Sequence, residues 1–236
     1  MSNEISSYVA LGDSFSAGLE PGGTNRWPDR LAAALGQGVR YENLAAVGAT
    51  SADVETQQLP RALELRPDLV TLVCGANDVL FSTRPDADAY AARLARMFVR
   101  LRESLPGVEI MTATYPDISR FVELRPRTRA RVAWGMRSFN AACRSVAAEH
   151  GVMLLDGFAH PAGRRRDTFA EDGFHPSVEG HLRTAAEFLR ALRERLPSRE
   201  SLPSRASLPS LPSRPSLPSR PSREKKPGKG ASGAPA

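Results

Sequence analysis

Apolar residues occur along most of the chain in short runs that alternate with longer stretches of helical spacing. This alternation is typical of repeated βαβ units. The runs predict strands at residues 7–11, 39–44, 69–74, 109–114 and 152–155. The stretches between and after them predict helices at residues 27–35, 52–59, 86–104, 127–150 and 178–195.

The helix predicted at residues 86–104 has the clearest pattern. Tyr90, Leu94, Met97, Leu101 and Leu105 lie on one stripe at helical spacing. Acidic residues come in the first turn and arginines later, as the helix dipole favours. Five strands joined by helical crossovers predict a parallel sheet that is covered on both faces, which is the α/β class.

Composition divides the chain near Leu196. Residues 196–236 are rich in Ser, Pro, Leu and Arg and contain irregular copies of a Ser-Leu-Pro-Ser-Arg unit. Such a short proline-rich repeat cannot bury a core, so we predict one domain at 1–195 and a disordered tail at 196–236. The net charge of +6 lies in this tail, and the body of the chain is neutral. We therefore expect no nucleic-acid partner.

The first residues lack the basic start and the apolar stretch of a secretory signal, and no run reaches the length of a membrane span. These features predict a cytoplasmic protein that does not insert into membranes. Cys74 and Cys143 lie in an apolar run and in a predicted helix, where they are expected to be buried apolar residues. The four histidines show no metal-ligand spacing, and no metal or cofactor is expected.

Three polar blocks follow apolar runs and together carry the residues of an acyl-transfer site. They are Gly-Asp-Ser at 12–14, Gly-Ala-Asn-Asp at 75–78 and Asp-Gly-Phe-His at 172–175. Ser14 is a poor nucleophile by itself and needs an imidazole to take its proton and a carboxylate to orient that imidazole. His175 and Asp172 supply these groups, and Asn77 supplies an amide donor for a developing oxyanion.

The predicted topology explains how such distant residues meet. Ligands of open α/β sheets bind outside the carboxyl ends of the strands. Ser14 follows the first predicted strand, Gly48 the second, Asn77 the third and His175 the fifth, so four loops converge at one edge. The short separation of Asp172 and His175 places the base and its orienting group on a single loop.

Each block also has a purely structural interpretation. Gly-Asp-Ser is a common turn in which Asp13 or Ser14 caps a helix, and Gly48 and Asn77 are residue types that turns favour. Asp167 and Glu171 are alternatives to Asp172 as the orienting carboxylate. It is the order of the blocks, each at the end of a separate strand, that favours a functional site.

The chain resembles the SGNH (GDSL-type) hydrolase superfamily over residues 5–195, with Ser14, Gly48, Asn77 and His175 in the positions of its four named residues. The resemblance implies a three-layer α/β/α sandwich with Ser14 as nucleophile. It also implies an oxyanion hole formed by the N–H groups of Ser14 and Gly48 and the side chain of Asn77. His175 would be general base and then general acid, oriented by Asp172. One departure is Phe15, where the family often has Leu, a change that could reshape the pocket.

These residues predict a serine hydrolase that cleaves a small-molecule carboxylic ester through an acyl-enzyme on Ser14. An acyltransferase that passes the same acyl group to a sugar or alcohol is the alternative, and a non-catalytic binding module is a third possibility. Short acyl, sugar and lipid esters all fit this chemistry. The natural ester and the oligomeric state are left open by the sequence.

Several other polar residues carry expectations of their own. Asp78 is expected to be a structural acceptor, and His150, His160 and His181 to be surface residues. The arginines on the expected active-site side are interpreted as solvated loop residues or, alternatively, as receptors for an anionic group on the substrate. They are Arg120, Arg125, Arg127, Arg129, Arg131 and Arg164 to Arg166.

Overall fold

The middle layer of the protein is a parallel sheet of five strands in the order β2-β1-β3-β4-β5. The computed structural model describes residues 5–19 and 25–196, so all but the first residue of the predicted tail at 196–236 lies outside it. The strands are β1 (Ser7–Gly12), β2 (Arg40–Asn43), β3 (Leu69–Val73), β4 (Glu109–Thr114) and β5 (Met153–Asp156). The predicted α/β fold with five parallel strands is confirmed.

The strands that read as the most continuous apolar runs lie at the centre of the sheet. Every residue of β1 and β3 is buried, and the two strands pair in register from Tyr8 opposite Leu69 to Gly12 opposite Val73. A strand that is covered on both faces needs apolar side chains on both, which explains why these segments do not alternate. β2 is the edge strand beside β1, and its residues are only partly buried.

Eight α-helices cover the sheet within the described residues. They are α1 (Ser14–Ala17), α2 (Trp27–Leu35), α3 (Ser51–Asp53), α4 (Leu59–Leu65), α5 (Ala76–Leu80), α6 (Ala87–Ser104), α7 (Pro126–Glu149) and α8 (Val178–Arg195). α2 packs against α8, where Trp27 stacks on Phe188 at 4.5 Å between ring centroids. α6 packs against α4 and α7. The pair α2 and α8 forms one outer layer, and α4, α6 and α7 form the other.

The predicted helix at 52–59 is longer in the structure and is interrupted by a π-helical turn. α3 continues into the π turn Val54–Gln58 and then into α4, so the helical segment ends at Leu65. A proline lacks the N–H that the interior of an α-helix needs, but Pro60 does not end this helix. The proline instead lies in the first turn of α4, where its missing donor costs little.

The strand order places a topological switch point between β1 and β3. The chain leaves β1 towards β2 on one side and returns to β3 on the other, so the loops after these two strands diverge and leave a crevice. Ser14 follows β1 and Asn77 follows β3. The fold therefore brings both residues to the crevice in which ligands of such sheets bind.

Candidate active site

Ser14 begins α1 directly after the first strand. Gly12, the last residue of β1, has a φ of +145°, and a Cβ at this position would lie 2.1 Å from the carbonyl oxygen of Val73. Only glycine fits this close approach of two strands. Asp13 then caps α1 by accepting a hydrogen bond from the N–H of Phe15 at 3.0 Å. The strand end and the cap together fix the position of Ser14, whose side chain is buried.

Asp13 is itself fully buried beside Ser14. The hydroxyl of Tyr115 donates to the Asp13 carboxylate at 2.6 Å. Burial raises the pKa of Asp13 to about 7, against the opposing effect of the Tyr115 hydrogen bond. Asn140 holds Tyr115 in turn, because its side chain bonds both the N–H and the carbonyl of Tyr115 at 3.0 and 2.8 Å.

His175 and Asp172 lie on one tight loop, as the sequence predicted. One oxygen of Asp172 accepts from the N–H groups of Phe174 and His175 at 2.8 and 3.0 Å. The other lies 2.6 Å from Nδ1 of His175. Partial burial raises the pKa of Asp172, but the hydrogen bonds from the His175 ring and the two amides outweigh it and hold the pKa below its usual value. The carboxylate therefore remains ionised next to the imidazole at neutral pH.

The histidine ring joins this loop to Ser14. Nε2 of His175 lies 2.9 Å from Oγ of Ser14. The structure thus brings Ser14, His175 and Asp172 into one hydrogen-bonded chain. Such a chain allows a neutral imidazole to accept the hydroxyl proton as the oxygen attacks, while the carboxylate holds the ring and stabilises the imidazolium that forms.

The two alternative carboxylates on the loop do not contact the imidazole. Asp167 instead pairs with Arg165 and Arg183 at 2.7 and 3.3 Å. The backbone carbonyl of Glu171 accepts from Arg166 at 3.0 Å, and among the described residues its side chain has no hydrogen-bond partner. Asp172 is therefore the carboxylate that the structure places on His175.

Asn77 is buried in α5 after β3. Gly75, with φ of +120°, lets the chain turn from β3 into this helix. Nδ2 of Asn77 donates to the carbonyl of Ala49 at 3.0 Å, which leaves its second amide hydrogen for another acceptor. The amide of Asn77 is thereby fixed against the loop that contains Gly48.

Gly48 is held in that loop by the neighbouring residues. Its φ is +80°, a conformation that glycine adopts without strain. Among the hydrogen bonds of the described residues, the N–H groups of Gly48 and Ser14 have no acceptor in the protein. Two backbone donors and one side-chain donor thus come from the loops after β1, β2 and β3, and donors of this kind can stabilise an oxyanion.

Asp78 is a structural acceptor, in agreement with the prediction. It accepts from the N–H and the hydroxyl of Ser51 at 2.8 and 2.5 Å. Ser51 lies two residues after Ala49, so consecutive residues of α5 hold the Gly48 loop at two points. The pairing ties two of the candidate donors to each other.

Gln58 supports the site and was not predicted from the sequence. Its side chain pairs with both backbone groups of Gly12, accepting from the N–H at 2.8 Å and donating to the carbonyl at 2.9 Å. It comes from the π-helical turn and is buried with Val54 and Ala62. Gln58 lies four residues from both Val54 and Ala62, so it is on the same buried helix face. A polar residue on an otherwise apolar helix face is the sequence signal that could have identified it.

The environment of His181 differs from the prediction. His181 is mostly buried, and its Nδ1 accepts from the N–H of Trp27 at 3.2 Å. Burial, reinforced by the charge of Arg30, lowers the pKa of His181 to about 4. The prediction of a surface residue was wrong, because α8 packs on the start of α2 at this point and both helices cover the ring.

Several of the arginines bind backbone carbonyls within the protein. Arg166 donates to the carbonyls of Phe169, Ala170 and Glu171 at 2.9, 2.7 and 3.0 Å. Arg129 and Arg131 also donate to loop carbonyls. These three guanidinium groups brace the loops around the candidate site. Arg129 and Arg131 are partly buried, whereas Arg166 is exposed to solvent, as predicted for a loop residue.

A hydrogen-bonded serine, histidine and aspartate at the carboxyl edge of a doubly wound sheet define a hydrolase-like α/β protein. The model of the GDSL-like lipase/acylhydrolase family matches residues 10–183. This protein belongs to that family. The predicted family and its enzyme class, the GDSL-type carboxylic ester hydrolases, are thereby confirmed.

Named relatives and solved structures are similar to most of the described chain. A lipase of Streptomyces rimosus is 25% identical over 224 residues, which cover 75% of this chain and 83% of the lipase. An acetylxylan esterase of Geobacillus stearothermophilus is 25% identical over 172 residues, 66% of this chain and 73% of the esterase. LAE5, a hydrolase from the metagenome of Lake Arreo, superimposes with a TM-score of 0.63 at 24% identity over 79% of this chain and 94% of LAE5. At this identity, the similarity to LAE5 shows a shared fold only.

The described helices do not have the combination of length and hydropathy that crossing a membrane requires. Within residues 5–19 and 25–196, His, Cys, Asp and Glu side chains form no group of three or more that is arranged to hold a metal ion. Cys74 and Cys143 are both buried and unpaired there, in agreement with their predicted place in the core.

Proposed function

We propose that this protein hydrolyses carboxylic esters through an acyl-enzyme on Ser14. The observation that carries the proposal is the hydrogen-bonded chain from Ser14 Oγ through the imidazole of His175 to Asp172, with distances of 2.9 and 2.6 Å. Membership of a lipase/acylhydrolase family supports the same chemistry.

In the first half of the reaction, Oγ of Ser14 attacks the ester carbonyl while Nε2 of His175 takes its proton. The carbonyl oxygen becomes an oxyanion, for which the N–H groups of Ser14 and Gly48 and the side chain of Asn77 are the candidate donors. Collapse of the tetrahedral intermediate breaks the bond to the alcohol. His175 returns the proton to the leaving oxygen, and the acyl group remains on Ser14.

Water completes the cycle. His175 takes a proton from a water molecule that attacks the acyl-enzyme, and Ser14 then leaves with that proton as the acid is released. Asp172 remains ionised throughout and keeps the hydrogen of the neutral ring on Nδ1. Nε2, which faces Ser14, therefore has no hydrogen and can accept the serine proton. This sequence needs the neutral form of His175, because only an unprotonated Nε2 can accept the proton of the serine or of the water.

Hydrolysis of p-nitrophenyl esters from acetate to palmitate tests the proposal. Ser14→Ala should lose nearly all turnover. Ser16→Ala is the matched control, because Ser16 is a buried serine on the same short helix whose hydroxyl has no partner among the described residues. Equal loss in both variants, or full activity of folded Ser14→Ala, would refute Ser14 as the nucleophile.

The same assay separates the two fates of the acyl-enzyme. An acceptor alcohol is added at high concentration and the products are analysed for a new ester. Release of the free acid alone supports hydrolysis, whereas efficient formation of the new ester would favour the acyltransferase alternative. The names of the two relatives, lipase and acetylxylan esterase, indicate that both lipid esters and acetylated sugars belong in the substrate panel.

The cytoplasmic location is a prediction from the sequence. One structural neighbour, from Streptomyces rimosus, is described as an extracellular lipase. Fractionation of the producing cells, with activity measured in the medium and in the cell extract, decides between the two locations.

A further inference from the structure

A cavity of about 90 Å³ lies behind the candidate active site. It is lined by the carboxyl ends of β4 and β5, the loop at residues 157–168 and α8, it is partly open to solvent, and its walls are mostly apolar. Ala113, Leu155 and Phe188 are among the residues that line it. The steps proposed for ester hydrolysis make no use of this space.

Phe15 forms the wall between the cavity and the serine–histidine pair. Its side chain lines the cavity, and the centroid of the same ring lies 6.1 Å from that of His175. The ring is held edge to face between Tyr115 and Phe174, with centroid distances of 4.8 and 5.4 Å. Neither Ser14 nor His175 lines the cavity. The ring of Phe15 therefore both lines the apolar space and lies beside the histidine proposed to react.

We propose that Phe15 limits the length of the acyl chain that this enzyme accepts, and that the cavity becomes an acyl pocket when the side chain at position 15 is smaller. The inference rests on the proposed ester hydrolysis. It assigns the acyl chain to the cavity because the acyl group stays on Ser14 while water attacks, and an apolar wall suits a hydrocarbon chain that is retained. The alcohol, by contrast, must leave for solvent.

The size of the cavity sets the expected effect. At about 30 Å³ for each water-sized group, it holds roughly three methylene groups. Burial of one methylene group is worth about fourfold in kcat/KM. A chain that fills the opened cavity should therefore gain at least tenfold relative to a short one, and roughly 60-fold if three groups are fully buried.

The test compares kcat/KM for p-nitrophenyl acetate, butyrate, hexanoate and octanoate in the wild type, Phe15→Leu and Phe15→Ala. The wild type should favour the short chains. The ratio of octanoate to acetate should rise in both variants, and by at least tenfold in Phe15→Ala. Phe15→Leu keeps most of the buried volume, so it provides a folded protein if Phe15→Ala melts too low.

Thr184→Phe provides the control, because Thr184 lines the cavity from α8 and takes no part in the proposed chemistry. In the wild-type background it should leave the chain-length profile unchanged, since Phe15 already closes the space. In the Phe15→Ala background it should fill the cavity and abolish the gain. Such non-additivity reports that both residues act on the same space.

Three results would overturn the inference. Equal changes for all chain lengths would mean that Phe15 only packs the site, with the proposed hydrolysis left intact. A changed preference for alkyl acetates of different alcohol length, without a change in the acyl series, would assign the cavity to the alcohol. Absence of Ser14-dependent hydrolysis in the wild type would remove the proposed function and this inference together.

Discussion

Replacement of Asp78 by asparagine tests whether the Gly48 loop must be fixed to α5. Asp78 has only 11% of its side-chain surface exposed, and both of its oxygens accept from Ser51. An asparagine has one acceptor oxygen, so Asp78→Asn leaves one donor of Ser51 facing an NH₂ group. Hydrogen bonds to a charged group contribute about 1.5–3 kcal/mol, and we expect the free energy of unfolding to fall by about 2 kcal/mol.

The same change should lower kcat more than it alters KM. Ser51 lies close to Gly48 in sequence, and the loop carries one of the candidate oxyanion donors. A displacement of about 1 Å in such a group costs on the order of 10²-fold in rate, while complete loss of a donor costs about 10²–10³-fold. We therefore expect a decrease in kcat of about 10- to 100-fold.

Asp53→Asn is the matched control. One oxygen of Asp53 accepts from the N–H and hydroxyl of Thr50 at 2.8 and 2.6 Å, and the other accepts from Nε2 of Gln57 at 3.1 Å. Asp53→Asn therefore also leaves one donor facing an NH₂ group. These bonds stay within one turn and do not reach α5. Urea denaturation and steady-state kinetics on p-nitrophenyl acetate should show a loss of stability in both variants and a loss of kcat in Asp78→Asn alone. Equal kcat in both variants would refute the positioning role of Asp78.

Three further changes probe the site, a buried histidine and the tail. Asn77→Ala should lower kcat by about 10²–10³-fold with little change in KM, and full activity in steady-state assays would remove Asn77 from the oxyanion hole. The pKa of His181 is lowered to about 4 in the folded protein and lies near 6.5 in the unfolded chain. Between these values the unfolded chain binds more protons than the folded protein. Titration of His181 therefore lowers the free energy of unfolding by about 3 kcal/mol as the pH falls through that window. His181→Asn keeps an acceptor for Trp27 without a titrating ring. In urea denaturation, the free energy of unfolding should therefore fall less between pH 7 and pH 4.5 in this variant than in the wild type. An unchanged difference would assign the titration to another group. Truncation after Leu196 should leave kcat/KM and Tm unchanged, because a short proline-rich repeat such as that of residues 201–220 cannot bury a core, and a large loss of either would show that the tail contributes.

The layers of the fold could be predicted because their signals are local. β1 and β3 are continuous apolar runs and α6 has an amphipathic stripe, so each element is visible within its own segment. The helical segment at 51–65 was predicted to end at residue 59. The π turn that precedes Pro60 has no local signature, and neither does the continuation of the helix beyond it. Helices of four or five residues such as α1 and α5 give too few positions for a periodic pattern.

The candidate site was predictable where a residue type and its place after a strand coincide. Ser14, Asn77 and His175 satisfy both conditions. Gln58 and Tyr115 do not, because their partners Gly12 and Asp13 are 46 and 102 positions away along the chain. A glutamine that completes the bonding of a strand end, or a tyrosine that reaches a buried carboxylate, is recognisable only when the packing of the sheet and helices is known.

Asp13 shows how far local reasoning extends and what tertiary structure adds. Its role as a helix cap follows from the sequence, but its complete burial does not. Since the folded pKa is raised to about 7 from an unfolded value near 3.9, the folded protein binds more protons in this window, and the contribution of Asp13 to stability rises as the pH falls. His181 acts in the opposite direction over most of the same range, so the two titrations partly cancel in the wild type. Removal of the imidazole in His181→Asn should therefore expose the trend of Asp13, and the variant should lose less stability than the wild type as the pH is lowered from 7 towards 4.5.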